Sequence, residues 1–212
     1  MPSYFGNTED LINWKSILES IKDKKGVYDI YNPELPYDES KPAEETAAEK
    51  LEIDLQNMLA ENNDKEYFRD IVTTARKVLG AWWDVGYKKS EVYWEDFYAG
   101  EHFDITVQDA FVELTGETPI RVFITRLLPG KVAPMHFDVF PDLTPYQKLG
   151  EVSRYTCFVQ EPQWGHVFAF KNVCYQNEPV GKIYKWDHVH EWHAAANMGL
   201  TPYYIFHFIG YK

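Results

Sequence analysis

The chain has 212 residues, of which 45% are hydrophobic and 17% aromatic, and it carries a formal net charge of -12 at pH 7. This composition supports a folded core and excludes an intrinsically disordered chain, and the negative charge argues against nucleic-acid binding, which needs a basic surface. No uncharged run approaches the roughly 20 apolar residues of a membrane helix. We therefore expect a single domain over residues 1–212, with neither nucleic acid nor a membrane as its partner.

The cysteines and the N-terminus indicate a reducing compartment. Cys157 and Cys174 are the only cysteines, and their spacing suits neither a disulfide scaffold nor a zinc site. The first residues lack the basic and apolar regions of a signal peptide. A cytoplasmic location is the expectation.

The first 80 residues are expected to be mainly helical. Asn7 or Thr8 is suited to cap a first helix that ends near Gly26, with apolar residues at helical spacing. Residues 27–42 contain three prolines and predict an extended connection, and further helices are expected over residues 43–61 and 65–79. We interpret these helices as a supporting layer packed on a sheet.

The pattern changes after Trp82, where aromatic and β-branched residues dominate and the segments become short. A strand is expected at residues 92–94 and a short helix at 107–114, ended by Gly116. Further strands are expected at residues 120–128, 136–140, 154–160, 166–175, 182–186 and 203–208. Because helices and strands do not alternate, the fold class is α+β, with an antiparallel sandwich or barrel over residues 81–212.

The segment His136-Phe137-Asp138 is a candidate for half of a metal site. On an extended strand, side chains two residues apart point to the same face, so His136 and Asp138 are expected side by side. Two histidines and one carboxylate on one face of an octahedral iron leave three positions open for a bidentate co-substrate and dioxygen. The alternative is that these side chains only form hydrogen bonds with their neighbours.

The third ligand must come from a later histidine, and the sequence offers His188, His190 and His193. We prefer His193 because residues 194–197 (AAAN) leave room beside a metal, and a glycine-containing turn then leads to the last strand. His190 is the second choice.

The segment 121–212 resembles the Fe(II)/2-oxoglutarate-dependent oxygenases, in particular their aspartyl/asparaginyl β-hydroxylase-like and phage-type members. The resemblance rests on residues 121–130 (RVFITRLLPG), 136–138 (HFD), 181–187 (GKIYKWD) and 193–197 (HAAAN). It implies a double-stranded β-helix, which is a cupin-like jelly roll, with an N-terminal helical layer. It also implies Fe(II) bound by His136, Asp138 and His193, 2-oxoglutarate as co-substrate, and hydroxylation of an amino-acid side chain or small molecule. The expected partner is a small-molecule or peptidyl substrate.

The chain departs from this family at the group that binds the remote carboxylate of 2-oxoglutarate. Many members carry an arginine on the last strand, where this chain has Tyr203, and no arginine follows Arg154. Arg154 is therefore the first candidate for this role, although it could instead pair with a nearby surface glutamate, Glu151 or Glu161. Tyr203 and His207 share a face of the last expected strand and are further candidates, as is Arg126.

Two other functions use the same residues. A cupin-like isomerase or hydrolase would hold Zn, Mn or Ni with the same three ligands. A non-catalytic binding module with an aromatic pocket would hold no metal, and its stability would not respond to a chelator.

Overall fold

A computed structural model describes residues 2–27, 81–82, 84–88, 91–138, 151–189 and 191–212. Its elements, in chain order, are β1 (Ser3–Asn7), α1 (Trp14–Ile21), β2 (Glu95–Tyr98), α2 (Thr106–Thr115), β3 (Thr118–Leu127), β4 (Val132–His136), β5 (Val152–Phe158), β6 (His166–Phe170), β7 (Val173–Tyr175), β8 (Lys182–Lys185), β9 (His193–Asn197) and β10 (Tyr203–Tyr211).

The strands form two antiparallel sheets. The large sheet has the order β1-β8-β5-β10-β3-β2, and the small sheet has the order β4-β9-β6-β7. From β3 onward the chain passes back and forth between the sheets: β3, β5, β8 and β10 belong to the large one, and β4, β6, β7 and β9 to the small one. This is the topology of a double-stranded β-helix, so the expected α+β jelly roll is confirmed.

Apolar side chains fill the space between the sheets and also cover the outer face of the large sheet. Phe168, Leu127 and Ile205 belong to the cluster between the sheets. On the outer face, α1 and α2 pack on β10, where the Phe206 ring lies 5.1 Å from Trp14 and 4.6 Å from Phe111. Burial of such a side chain contributes roughly 1.5–3 kcal/mol. α1 and α2 thus form a helical layer on the outer face of the large sheet.

The N-terminus corrects one prediction. Residues 3–7 form strand β1, which pairs with β8, so the helix does not begin at Asn7 or Thr8. It begins at Trp14, and the Asn13 side chain caps it by accepting a hydrogen bond from the Ser16 amide at 3.1 Å. The Thr8 hydroxyl instead accepts a buried hydrogen bond from Trp14 Nε1 at 3.0 Å. The helix also ends earlier than predicted, at Ile21.

The predicted helices over 43–61 and 65–79 and most of the extended connection over 27–42 lie outside the described residues. The division into a helical part over 1–80 and a β-rich part over 81–212 stays a prediction, except that β1 joins the β core. None of the described helices is long and apolar enough to cross a membrane.

Several predicted boundaries in the β-rich part also shift. The strand expected at 92–94 is found three residues later, as β2. The strand expected at 166–175 is two strands, β6 and β7, joined by a turn in which Lys171 has φ 51°. The strand expected at 136–140 is β4, which ends at His136, and residues 139–140 lie outside the described residues. The helix at 107–114 is found as α2, and Gly116 ends it with a φ of 66°.

Candidate metal centre

The structure brings His136, Asp138 and His193 together at one end of the barrel. His136 closes β4, His193 opens β9, and the two residues face each other across the strand pair. Asp138 follows β4 by two residues, and its Oδ1 and Oδ2 lie 3.2 Å from His136 Nε2 and 3.4 Å from His193 Nε2. Ligands at adjacent corners of an octahedron, bonded at about 2.1 Å, are about 3 Å apart. The three side chains therefore have the spacing of a facial metal-binding triad.

Backbone carbonyl groups fix the orientation of both imidazoles. His136 Nδ1 lies 2.6 Å from the Pro134 carbonyl oxygen, and His193 Nδ1 lies 2.9 Å from the Glu191 carbonyl oxygen. A carbonyl oxygen only accepts, so each Nδ1 carries a hydrogen, and in the neutral form of each ring Nε2 presents a lone pair. Metal-binding histidines are held in this way.

The donor set fits a cation. When both rings are neutral, each contact between Nε2 and Asp138 brings two hydrogen-bond acceptors together, and a positive ion between them would satisfy all three groups. Burial lowers the pKa of His193 to about 4, so this imidazole is neutral near pH 7. Burial by itself raises the pKa of Asp138, but the adjacent Arg154 guanidinium and His193 outweigh it and hold the pKa well below its usual range.

Arg154 is the cation beside this triad. Its side chain is 1% exposed, and Nη1 donates to Asp138 Oδ2 at 2.5 Å. The guanidinium carbon lies 3.8 Å from the centre of the Trp186 ring, a cation–π contact. Arg154 is thus buried in an ion pair with Asp138 and is not the surface partner of Glu151 or Glu161.

Aromatic rings shield the triad from water. The Trp94 ring stacks on His136 with centroids 5.5 Å apart, and Trp82 contacts the same imidazole edge-on. A pocket lies between the triad and the large sheet, and its walls include Phe123 and Phe168.

The other candidate residues lie in different places. His207 lines the same pocket as the triad. The Tyr203 ring stacks on His166 at 4.5 Å and lines a second, separate pocket. Arg126 points to the outer face of the large sheet. His188 is exposed, and His190 lies outside the described residues.

The contacts of Arg126 explain why it does not reach the pocket. Its Nε donates to Glu95 Oε2 at 2.6 Å, and its Nη atoms donate to the carbonyl oxygens of Lys22 and Lys24. Arg126 thereby satisfies carbonyl groups left over at the end of α1.

Thr156, which sequence reasoning did not assign to the site, is part of it. It lies two residues after Arg154 and faces the same side of β5, a placement that the period of two in a strand would have revealed. The Trp186 indole, just after β8, donates to the Thr156 hydroxyl at 2.8 Å, and this contact has no local sequence signal.

Comparisons with known proteins show likeness in fold only. No protein-family model and no curated protein sequence matches the chain. Among solved structures, a viral collagen prolyl hydroxylase from Paramecium bursaria Chlorella virus-1, determined as a 2OG complex, is 16% identical over 56% of this chain and 80% of its own, with a TM-score of 0.42. A Pseudomonas putida prolyl-4-hydroxylase is 8% identical over 94% of this chain and 99% of its own, with a TM-score of 0.39. A predicted oxalate decarboxylase from Thermotoga maritima is 15% identical over 57% and 82%, with a TM-score of 0.32.

Proposed function

We propose that this protein is an Fe(II)- and 2-oxoglutarate-dependent dioxygenase that hydroxylates an amino-acid side chain or small molecule. The observation that carries the proposal is the facial set of two imidazoles and one carboxylate, with the Nε2 atoms 3.2 and 3.4 Å from the Asp138 oxygens. Such a triad suits Fe(II) and leaves three coordination positions for other ligands.

The chain supplies the ligands and their surroundings. His136, Asp138 and His193 would hold the metal, and Arg154 keeps the carboxylate of Asp138 ionised and in place. Bound Fe(II) with 2-oxoglutarate would supply the activation of dioxygen. The aromatic walls around the pocket reduce the contact of the triad with water.

Anaerobic Fe(II) titration, followed by measurement of succinate formed from 2-oxoglutarate, tests this proposal. We expect one Fe(II) per chain, and we expect His193→Ala to lose both metal and succinate formation. His188→Ala is the matched control, because His188 is an exposed histidine just before the same strand. A wild type without stoichiometric metal would refute the proposal and favour a non-catalytic binding module.

One observation favours a second candidate, a cupin-type isomerase or hydrolase with another divalent metal. Tyr203, at the place of the family's last-strand arginine, is directed at His166 and lines a different cavity. If the protein binds metal but does not bind 2-oxoglutarate, this second function is the one supported.

A further inference from the structure

His207 lines the same pocket as the triad, and it belongs to the large sheet, whereas the two histidines of the triad belong to the small sheet. It is 3% exposed and lies on β10, in register with Phe123 of β3 on one side and Thr156 of β5 on the other. The Phe123 ring stacks on the imidazole with centroids 4.9 Å apart. The plane of the His207 ring is therefore held by packing, and its two nitrogens have different surroundings.

The neighbours of Nδ1 determine where the hydrogen of this imidazole lies. Arg154 Nη2 lies 3.4 Å from His207 Nδ1, and a guanidinium only donates. Thr156 Oγ1 lies 3.1 Å from the same Nδ1 and accepts a hydrogen bond from Trp186 Nε1, which also only donates. Because the Arg154 guanidinium only donates, Nδ1 is the acceptor, and the Thr156 hydroxyl therefore also donates its hydrogen to Nδ1. The hydrogen of the neutral ring is then on Nε2.

The ring is neutral near pH 7. Burial, together with the positive charge of Arg154, holds the pKa of His207 well below its usual range.

This arrangement is the reverse of that in the two metal-binding histidines. In His136 and His193 the Nδ1 hydrogen is donated to a carbonyl group, so Nε2 carries a lone pair for a metal. In His207 the Nε2 atom carries the hydrogen and is not a metal ligand. Among the described residues, Nε2 of His207 makes no hydrogen bond, and it is not one of the fully buried side-chain atoms that lack a partner, so it is open to the pocket.

We propose that Trp186 and Thr156 are positioning residues that hold His207 in the Nε2–H form, and that this N–H donates to an anionic oxygen of the ligand bound beside the metal. The inference rests on the proposed function, in which this oxygen belongs to the remote carboxylate of 2-oxoglutarate. His207 then supplies the hydrogen bond, and the neighbouring Arg154 supplies the positive charge, that an arginine at the position of Tyr203 would have supplied together.

Two substitutions of His207 distinguish the nitrogens. The amide of a glutamine places its N–H near the position of Nε2, whereas that of an asparagine lies near Nδ1. We expect His207→Gln to bind 2-oxoglutarate nearly as the wild type does, and His207→Asn to bind it about 10- to 100-fold more weakly, the loss of one hydrogen bond to a charged group. Binding is measured by anaerobic calorimetry on the Fe(II)-loaded protein, and the metal content should stay unchanged in both variants.

A ligand without the remote carboxylate separates this inference from the proposed function. The wild type should prefer 2-oxoglutarate to 2-oxopentanoate, and His207→Asn should lose most of that preference. An undiminished preference in His207→Asn would overturn the inference and leave the proposed function standing. A wild type that binds neither oxo acid would refute the proposed function.

The hydrogen position itself can be read by ¹⁵N NMR of the metal-free protein, without any activity. We expect His207 in the Nε2–H form, and an Nδ1–H or doubly protonated ring would overturn the inference. Thr156→Val removes the hydroxyl with little change in shape, and we expect a detectable Nδ1–H fraction in that variant, whereas Thr156→Ser should behave as the wild type. An unchanged Nε2–H fraction in Thr156→Val would remove Thr156 and Trp186 from the proposed role.

Discussion

Replacement of Arg154 by Gln should weaken metal binding through the ligand that it contacts. Arg154 is buried, donates to Asp138 Oδ2 and stacks on Trp186. Gln retains an N–H donor but removes the charge, so the Asp138 carboxylate stays largely buried without its cation. Loss of one partner of a buried ion pair costs roughly 3–5 kcal/mol. We expect the free energy of unfolding of the metal-free protein to fall by that amount in urea denaturation.

The same substitution should lower the affinity for Fe(II). Loss of a group that orients a metal ligand typically weakens metal binding about 10- to 100-fold. Without the positive charge of Arg154, less remains to offset the effect of burial, which raises the pKa of Asp138, so this pKa rises. Because the carboxylate must be deprotonated to bind the metal, the loss of affinity should grow as the pH falls. Anaerobic Fe(II) titrations at several pH values measure this effect.

Arg126→Gln is the matched control. Arg126 is also a buried arginine with a carboxylate partner, Glu95, but it faces α1 on the outer side of the large sheet. We expect a comparable loss of stability in this variant with an unchanged Fe(II) affinity. An equal loss of affinity in both variants, or none in Arg154→Gln, would show that Arg154 does not act through Asp138.

Three further predictions concern stability and reactivity. Burial lowers the pKa of His193 to about 4, so between its unfolded value of about 6.5 and about 4 the unfolded chain binds more protons. The free energy of unfolding of the chelator-treated protein should therefore fall on acidification over that range, by on the order of 3 kcal/mol. Urea denaturation at several pH values measures it, and a free energy of unfolding that does not change with pH would contradict this prediction. A thiol reagent should modify only Cys174 in the native protein, because Cys157 is buried and burial raises its pKa to about 12. Reaction of both thiols before urea is added would contradict this prediction. Gly181→Ala should lower the free energy of unfolding by at least about 2 kcal/mol, since Gly181 has φ +82° and its Cβ would lie 2.4 Å from Asn7 Oδ1. Gly116→Ala, with φ +66° and open space around it, is the milder control, and equal losses in the two variants would show that the close contact does not matter.

The sequence predicts those parts of the site that depend on neighbouring residues. His136 and Asp138 are two residues apart, so their proximity follows from local geometry alone. The groups that fix the imidazoles, the carbonyls of Pro134 and Glu191, belong to the backbone and have no residue signature. The partner of Arg154 is Asp138, which a strand-based reading does not identify because Asp138 lies just beyond the end of β4.

The two strands that were not predicted depend on distant partners. β9 contains three consecutive alanines, which have a low preference for strands, and its pairing with β4 and β6 outweighs that preference. β1 pairs with β8, whose residues lie almost at the other end of the chain. Neither pairing can be inferred from residues that are neighbours in the sequence. α2 was predicted because its apolar spacing and its terminal Gly116 are local features.

Strand β4, which contains Pro134, has a second consequence beyond the orientation of His136. β4 is the edge strand of the small sheet, and a regular edge strand is a template for pairing with another chain. Here the backbone of residues 91–93 bonds to Val132, the register shifts between Ala133 and His136, and Pro134 has no N–H to offer. The irregularity that orients the His136 imidazole therefore also makes this edge a poor site for intermolecular strand addition.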